Sequence, residues 1–297
     1  MEDWLTQNWK DVGTRVKSIA GGLRALGIGI EDRCAILSNT RYEWILADIG
    51  IVCAGGATTT IYPSSTGDEC VYIINDSNSK IVFAEDQEQV DKLVEAREQM
   101  PELEKIICIG SIRSDLGGFV ATLKDLQASG DSWHEENEGA YEKRIKELEP
   151  THLATLIYTS GTTGKPKGVE LLHDCWIFEA EAMDNMGFLS PADKQYLWLP
   201  LAHSFGKVLE MSIIRIGILT AIDGRIERIV ENLAQVQPTF IAAVPRIFEK
   251  IYNKAVSGAR EKSKTVYRLF KWSMEVGQEV SALRQRGIEP QGMLRLK

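Results

Sequence analysis

Apolar positions recur along this chain in two rhythms. Trp9, Val12, Val16, Ile19, Leu23 and Leu26 fall three and four residues apart, the stripe of an amphipathic helix that Gly27 ends. Short unbroken apolar or β-branched runs follow at Cys34–Leu37, Thr58–Tyr62, Ile81–Ala84 and Lys105–Ile109, each reading as a buried strand. Between them lie helical stretches over Glu43–Val52, Tyr72–Asn75 and Val90–Arg97, with a turn at Pro63-Ser64-Ser65. Strand and helix in alternation predict βαβ units and a doubly wound, mostly parallel α/β sheet covered by helices. Residues 111–150 are polar and carry no strand signal, only a helix at Ala140–Leu148. The alternation then resumes. Strands are expected at Leu156–Tyr158, Tyr196–Leu199, Ile218–Ile222 and Thr239–Val244, and a helical stripe at Ile226, Ile229, Val230, Leu233 and Val236. Pro245 suits the first turn of a further helix. A long charged helix over 263–286 shows apolar positions at Val266, Leu269, Val276, Val280 and Leu283.

Composition narrows the class. The 297 residues are 44% hydrophobic and 26% charged, ordinary globular usage for one large domain or two smaller ones. A net charge of −8 argues against nucleic acid as the main partner. Much of the acidity sits in solvated segments such as His134-Glu135-Glu136-Asn137-Glu138. Cys34, Cys53, Cys70, Cys108 and Cys175 are odd in number, scattered and mostly set in apolar runs, so reduced core thiols of a cytoplasmic protein are expected rather than disulfides or zinc. The start, Met1-Glu2-Asp3-Trp4, has no basic or apolar signal region. The longest apolar stretch, Trp44 to Ala57, is interrupted by Asp48 and Gly50 and is too short to span a membrane. Asn75-Asp76-Ser77 is formally a glycosylation sequon, which the missing secretory signal sets aside.

Candidate chemistry concentrates in residues 158–169, Tyr-Thr-Ser-Gly-Thr-Thr-Gly-Lys-Pro-Lys-Gly-Val. Gly161, Gly164 and Gly168 allow sharp turns and close backbone approach. Thr159, Ser160, Thr162 and Thr163 add hydroxyls, and Lys165 and Lys167 add positive charge. That set suits a polyphosphate. It is not a Walker A loop: only Thr162 and Thr163 separate Gly161 from Gly164, and Pro166 follows Lys165. Pro166 also blocks an immediate helix. The bland alternative is a solvated turn between two strands, for which twelve such residues with two lysines are superfluous. A second stretch, Leu199-Pro200-Leu201-Ala202-His203-Ser204-Phe205-Gly206, follows a predicted strand, where open α/β sheets place ligands. On general grounds His203 there would be structural or merely exposed.

The 158–169 segment closely resembles the signature loop of the adenylate-forming superfamily, which comprises acyl-CoA synthetases, luciferases and peptide-synthetase adenylation domains. The stretch through His203 resembles the family's next motif in its acyl-CoA synthetase form. Ala243-Val244-Pro245-Arg246-Ile247-Phe248-Glu249-Lys250-Ile251-Tyr252 resembles a segment of long-chain acyl-CoA synthetases that helps frame the acyl side. Without the resemblance it reads as a strand entering a helix with core residues. Asn39-Thr40-Arg41-Tyr42-Glu43-Trp44, with Ala54–Ala57 and Ile61-Tyr62-Pro63, matches the same subfamily and is assigned a structural role. Glu170 and Leu171 depart from the family, which often has apolar residues and a threonine there.

The resemblance implies activation of a long-chain fatty acid with ATP, Mg²⁺ and coenzyme A. In that scheme the 159–167 loop grips the β- and γ-phosphates, Lys165 and Lys167 neutralise developing charge, and Thr159 contributes to Mg²⁺ coordination. His203 does positioning and electrostatic work, since a carboxylate substrate is already ionised near neutral pH. No match occurs to the family's Tyr-Gly-x-Thr-Glu segment, its ribose-binding aspartate or its lid lysine. The chain is therefore expected to be part of the large N-terminal domain, cut at both ends and without the C-terminal lid. Two other readings stay open: another adenylate-forming ligase, or a non-catalytic nucleotide-binding fragment. The partners implied are fatty acid, ATP and coenzyme A, with room for peripheral membrane contact and for a second copy or partner chain over exposed core.

Overall fold

Parallel pairing follows from what the strands are made of. In the computed structural model, which describes residues 4–159 and 164–291, β1 (Arg33–Leu37), β2 (Ala57–Ile61), β3 (Ser79–Ala84) and β4 (Lys105–Cys108) are buried almost throughout. Strands with helices on both faces require this. α1 (Trp9–Ala25) precedes β1, and α2 (Tyr42–Ala54), α3 (Gly67–Asp76) and α4 (Gln87–Glu95) form the crossovers. Local chemistry sets their ends. Asn8 caps α1 by accepting the Asp11 N–H, and Thr66 and Glu69 close a capping box on α3.

The polar stretch before the signature segment holds more order than its sequence suggests. It contains β5 (Val120–Thr122), α5 (Leu123–Glu136) and the expected α6 (Ala140–Glu147). β5 escapes notice because it is three residues long, and only Val120 of them is fully buried. It pairs with β4 at the edge of the sheet. β6 (Leu153–Thr159) and β7 (Lys167–Leu172) complete a seven-stranded sheet in the order β5-β4-β3-β1-β2-β6-β7, parallel except for the β6–β7 hairpin. On one face Leu37, Ile61, Val82, Ile106 and Leu156 pack with Ile73 and Ile74 of α3 and Val90 and Leu93 of α4.

A second, two-stranded parallel sheet follows. α7 (His173–Asn185) leads to β8 (Lys194–Leu197), α8 (Ser204–Ile216), β9 (Leu219–Ile222) and α9 (Ile229–Val236). The strand expected over Thr239–Val244 is reduced to a single parallel bridge between Phe240 and Gln195. Thr239 and Phe240 donate their N–H groups to Lys194, but beyond them the carbonyl of Ala242 is taken by the Trp198 indole at 3.0 Å. A side chain replaces the ladder there. The cysteines are all free; Cys34, Cys70 and Cys108 are buried, but Cys175 is exposed on α7 and is not a core thiol.

Residues through Ala242 form one compact unit and those from Ala243 a second. The second unit contains α10 (Pro245–Lys262), which starts on Pro245 as expected, and α11 (Lys264–Gln285). Their contact includes the Tyr252 and Phe270 rings and an Arg260–Tyr267 hydrogen bond of 3.1 Å. Phe248, Leu269 and Trp272 of this unit are exposed. No described helix is long and apolar enough to cross a membrane.

Candidate functional site

The signature segment opens at the carboxyl end of β6 and returns along β7, so it leads into a strand and not a helix, as Pro166 requires. Register does the rest. Tyr158 lies opposite Gly168 and Thr159 opposite Lys167, which sets a hydroxyl-bearing residue and a lysine side by side in register at the mouth of the loop. Thr159, Gly164, Lys165 and Lys167 are exposed. Gly164 has φ +94, a conformation that favours glycine. Ser160, Gly161, Thr162 and Thr163 lie outside the described residues. Among the described residues no carboxylate pairs with Lys165 or Lys167; Lys165 Nζ instead sits 5.2 Å from the centre of the Tyr72 ring. Both charges are thus available to an anion.

α3 holds this hairpin from one side. The Tyr72 hydroxyl donates to the Pro166 carbonyl at 3.0 Å, and the Tyr158 hydroxyl donates to Asp76 Oδ2 at 2.7 Å. Burial, and then the Asp76 carboxylate, push the Tyr158 phenol upward, so it remains a hydrogen-bond donor.

α8 holds it from the other. Val208 and Met211 of α8 pack against Ala154, Ile157 and Trp176. Strand side chains alternate in direction, so Thr159 shares the face of Ile157, and its partner Lys167 shares it too. α8 therefore covers the face on which both functional groups stand. His203 caps this helix: the Phe205 N–H donates to its Nδ1 at 3.2 Å, leaving Nε2 to an incoming group. The ring is exposed, as a group working on a ligand must be.

Two buried hydroxyls fix the turn that presents His203. Thr40 Oγ1, just after β1, donates to the Leu199 carbonyl at 2.7 Å and accepts the Leu201 N–H at 3.1 Å. Thr60 Oγ1, on β2, donates to the Ala202 carbonyl at 3.1 Å and lies 3.4 Å from the Leu156 carbonyl of β6. One side chain thus touches the backbone beside His203 and the strand that carries Thr159. Gly206 completes the fit, because a Cβ there would meet the Pro200 carbonyl oxygen at 2.2 Å. The structural role expected of Asn39–Trp44 agrees with what Thr40 does. Thr60 carried no such expectation, although three consecutive threonines inside a buried strand were a signal of polar work.

A cavity of about 1220 Å³ lies elsewhere, among α1, the turn after β1 and β9, with Trp9, Arg41, Ile213 and Leu219 in its walls. Neither His203 nor any described residue of the loop lines it.

Known proteins resemble this chain in sequence and in fold. A long-chain-fatty-acid–CoA ligase of Mycobacterium bovis, FadD15, is 30% identical over 263 residues, which cover 88% of this chain and 42% of the relative. The chain thus spans well under half the length of that relative. The solved long-chain-fatty-acid–CoA ligase FadD1 of Archaeoglobus fulgidus superposes with a TM-score of 0.71 at 20% identity, covering 86% of this chain and 48% of that one. ATP-bound MatB of Rhodopseudomonas palustris gives 0.66 at 22% identity, covering 82% and 45%. These two structures speak for the fold. The family model described as AMP-binding enzyme matches residues 1–290, nearly the whole chain, and the chain belongs to the AMP-binding enzyme family.

Proposed function

We propose that this chain supplies the phosphate-gripping and carboxylate-positioning part of a long-chain fatty acid–CoA ligase. A fatty-acid carboxylate oxygen attacks the α-phosphorus of ATP, and the bond to pyrophosphate breaks to leave an acyl-adenylate. The thiol of coenzyme A then attacks the acyl carbonyl, gives up its proton and expels AMP. Phosphoryl chemistry of this kind needs positioning and charge stabilisation above all. The observation that carries the reading is the pairing of Thr159 with Lys167 at a strand's carboxyl end, on the face that His203-capped α8 covers.

In this scheme Thr159, Ser160, Gly161, Thr162, Thr163, Gly164, Lys165 and Lys167 hold the β- and γ-phosphates. Lys165 and Lys167 neutralise the charge that develops on the leaving pyrophosphate. His203, with the exposed amino end of α8, orients the carboxylate and the adenylate. Magnesium fits as a passenger of the triphosphate. Thr159 offers it one exposed hydroxyl, and among the described residues no group of three or more metal-ligating side chains gathers. Mg²⁺ commonly keeps waters and substrate phosphates as its remaining ligands; bound here, it would neutralise phosphate charge. The relatives named long-chain-fatty-acid–CoA ligases support the substrate class, and five free cysteines suit a reducing compartment. Exposed Phe248, Leu269 and Trp272 suit cover by a second copy or a partner chain.

Isothermal titration with Mg–ATP tests this. The wild-type chain should bind, and Lys165→Ala with Lys167→Ala should weaken binding at least tenfold, since each charge-assisted phosphate contact is worth about 1.5–3 kcal/mol. Equal affinity in the two proteins would refute the phosphate-loop assignment. Palmitate-dependent exchange of pyrophosphate into ATP should stay at background, because the 297 residues match no family segment for the ribose, the magnesium-binding glutamate or the lid lysine. Robust exchange would show those groups to be dispensable.

A further inference from the structure

Three charged side chains lie where charge is least favourable. Asp48 on α2, with Lys207 and Glu210 on α8, have side chains 1%, 2% and 0% exposed. Lys207 Nζ donates to Asp48 Oδ2 and lies 3.5 Å from Glu210 Oε2. The same ammonium sits 5.5 Å from the centre of the Trp44 ring on α2 and 5.6 Å from that of Trp176 on α7. Among the described residues, Asp48 Oδ1 and Glu210 Oε1 have no hydrogen-bond partner.

Two ionised carboxylates on one ammonium would leave a buried net negative charge, at a cost of several kcal/mol. Burial relieves this by pushing the Glu210 carboxyl well above the carboxylate range, and Asp48 adds to the rise against the pull of Lys207. For Lys207, burial works downward, but the two carboxyl groups outweigh it and hold the ammonium charged. The neighbouring titratable group on α7 is His173, which burial and then His152 keep neutral. The cluster is therefore an Asp48–Lys207 ion pair beside a Glu210 carboxyl that burial biases toward its protonated form.

Such a cluster is an inefficient way to stabilise a core, since apolar side chains of equal volume often do as well or better. Its location suggests a different task. The Lys207 N–H donates to the His203 carbonyl at 3.1 Å, so Lys207 stands one helical turn beyond the histidine. Trp176 donates its Nε1–H to Thr155 Oγ1 of β6 at 3.1 Å. One ammonium thus meets the helix that carries His203, the helix that follows β1, and the helix tied to the β6–β7 hairpin.

We propose that Lys207, held by Asp48 and Glu210, is a positioning residue that sets α8, and with it His203, against the hairpin bearing Thr159 and Lys167. The inference rests on reading His203 and that hairpin as one site.

Ring-¹⁵N histidine spectra of the full chain, with His203 assigned through His203→Gln, report the histidine's setting independently of any ligand. Lys207→Met and the neutral triple variant Asp48→Asn, Lys207→Met, Glu210→Gln keep volume while removing the ion pair. In both, the His203 signals should move while those of His134, on α5, stay in place. Because α8 no longer sets the hairpin, pyrophosphate affinity should fall about tenfold, equivalent to weakening one charged hydrogen bond from Lys167. A folded triple variant with wild-type His203 signals would overturn the proposal. A triple variant that cannot fold would overturn it too, by showing that the cluster serves the fold itself. If the wild type binds no pyrophosphate, the phosphate-loop reading fails, and the His203 spectrum alone decides the role of Lys207.

Discussion

Replacing Thr40 with valine removes one hydroxyl and keeps the shape of the side chain. That hydroxyl serves two backbone groups of the His203 turn, the Leu199 carbonyl and the Leu201 N–H, and Thr40 is 5% exposed. Neither group gains water when the hydroxyl goes. An orphaned buried polar group costs about 1–3 kcal/mol, so two cost about 2–6 kcal/mol if they add. Contacts sharing one side chain rarely add fully, which places the expected loss near 3 kcal/mol. Thr40→Ser separates this from packing. It keeps both hydrogen bonds and gives up one methyl group, at roughly 1 kcal/mol. Urea denaturation of the two variants, followed by the midpoint at unchanged slope, reads the difference directly. Valine should fall well below serine. If Thr40→Val matches or exceeds Thr40→Ser in stability, the hydroxyl is not what holds the turn.

Gly206→Ala should destabilise by about 1–3 kcal/mol, because the new methyl meets the backbone of Pro200 and Leu201, which has no flexible end to give. A melting temperature equal to wild type would contradict that contact. Glu210→Gln should change how stability depends on pH. The Glu210 carboxyl is held above its unfolded range near 4.3, so its contribution is full below that value and is lost as pH rises toward the folded value. The loss is at most about 1.4 kcal/mol per pH unit for one proton. Glutamine does not titrate, so the variant should gain on wild type as pH is raised from 5 to 8, with Asp48, Lys207 and His173 unchanged around it. Parallel urea midpoints across that range would show that Glu210 carries no bound proton.

What the sequence disclosed follows from distance along the chain. The first four strands and their helices were legible because each announces itself within a dozen residues. The signature loop was legible for the same reason, with its glycines, hydroxyls and lysines contiguous. Signals shorter than one structural period were lost: β5 has three residues, and Thr239–Val244 looks strand-like but yields its Ala242 carbonyl to a side chain. In the sequence Asp48 merely breaks an apolar stretch. It is instead the buried partner of a lysine 159 residues away. Thr40 and Thr60 reach the His203 turn across separations of 159 and 142 residues. No local pattern encodes such contacts, and only the sheet topology brings them together.

The two threonines also bear on how this turn can be transplanted. The heptapeptide Pro200–Gly206 has the look of a portable cassette, but its shape is stored in two hydroxyls, one on a strand of the other sheet and one just past the end of its neighbour. A chimera that imports the cassette alone would inherit the histidine without its mould. The transferable module has three pieces, the turn and two distant residues, and recombination points between Thr60 and Pro200 divide it.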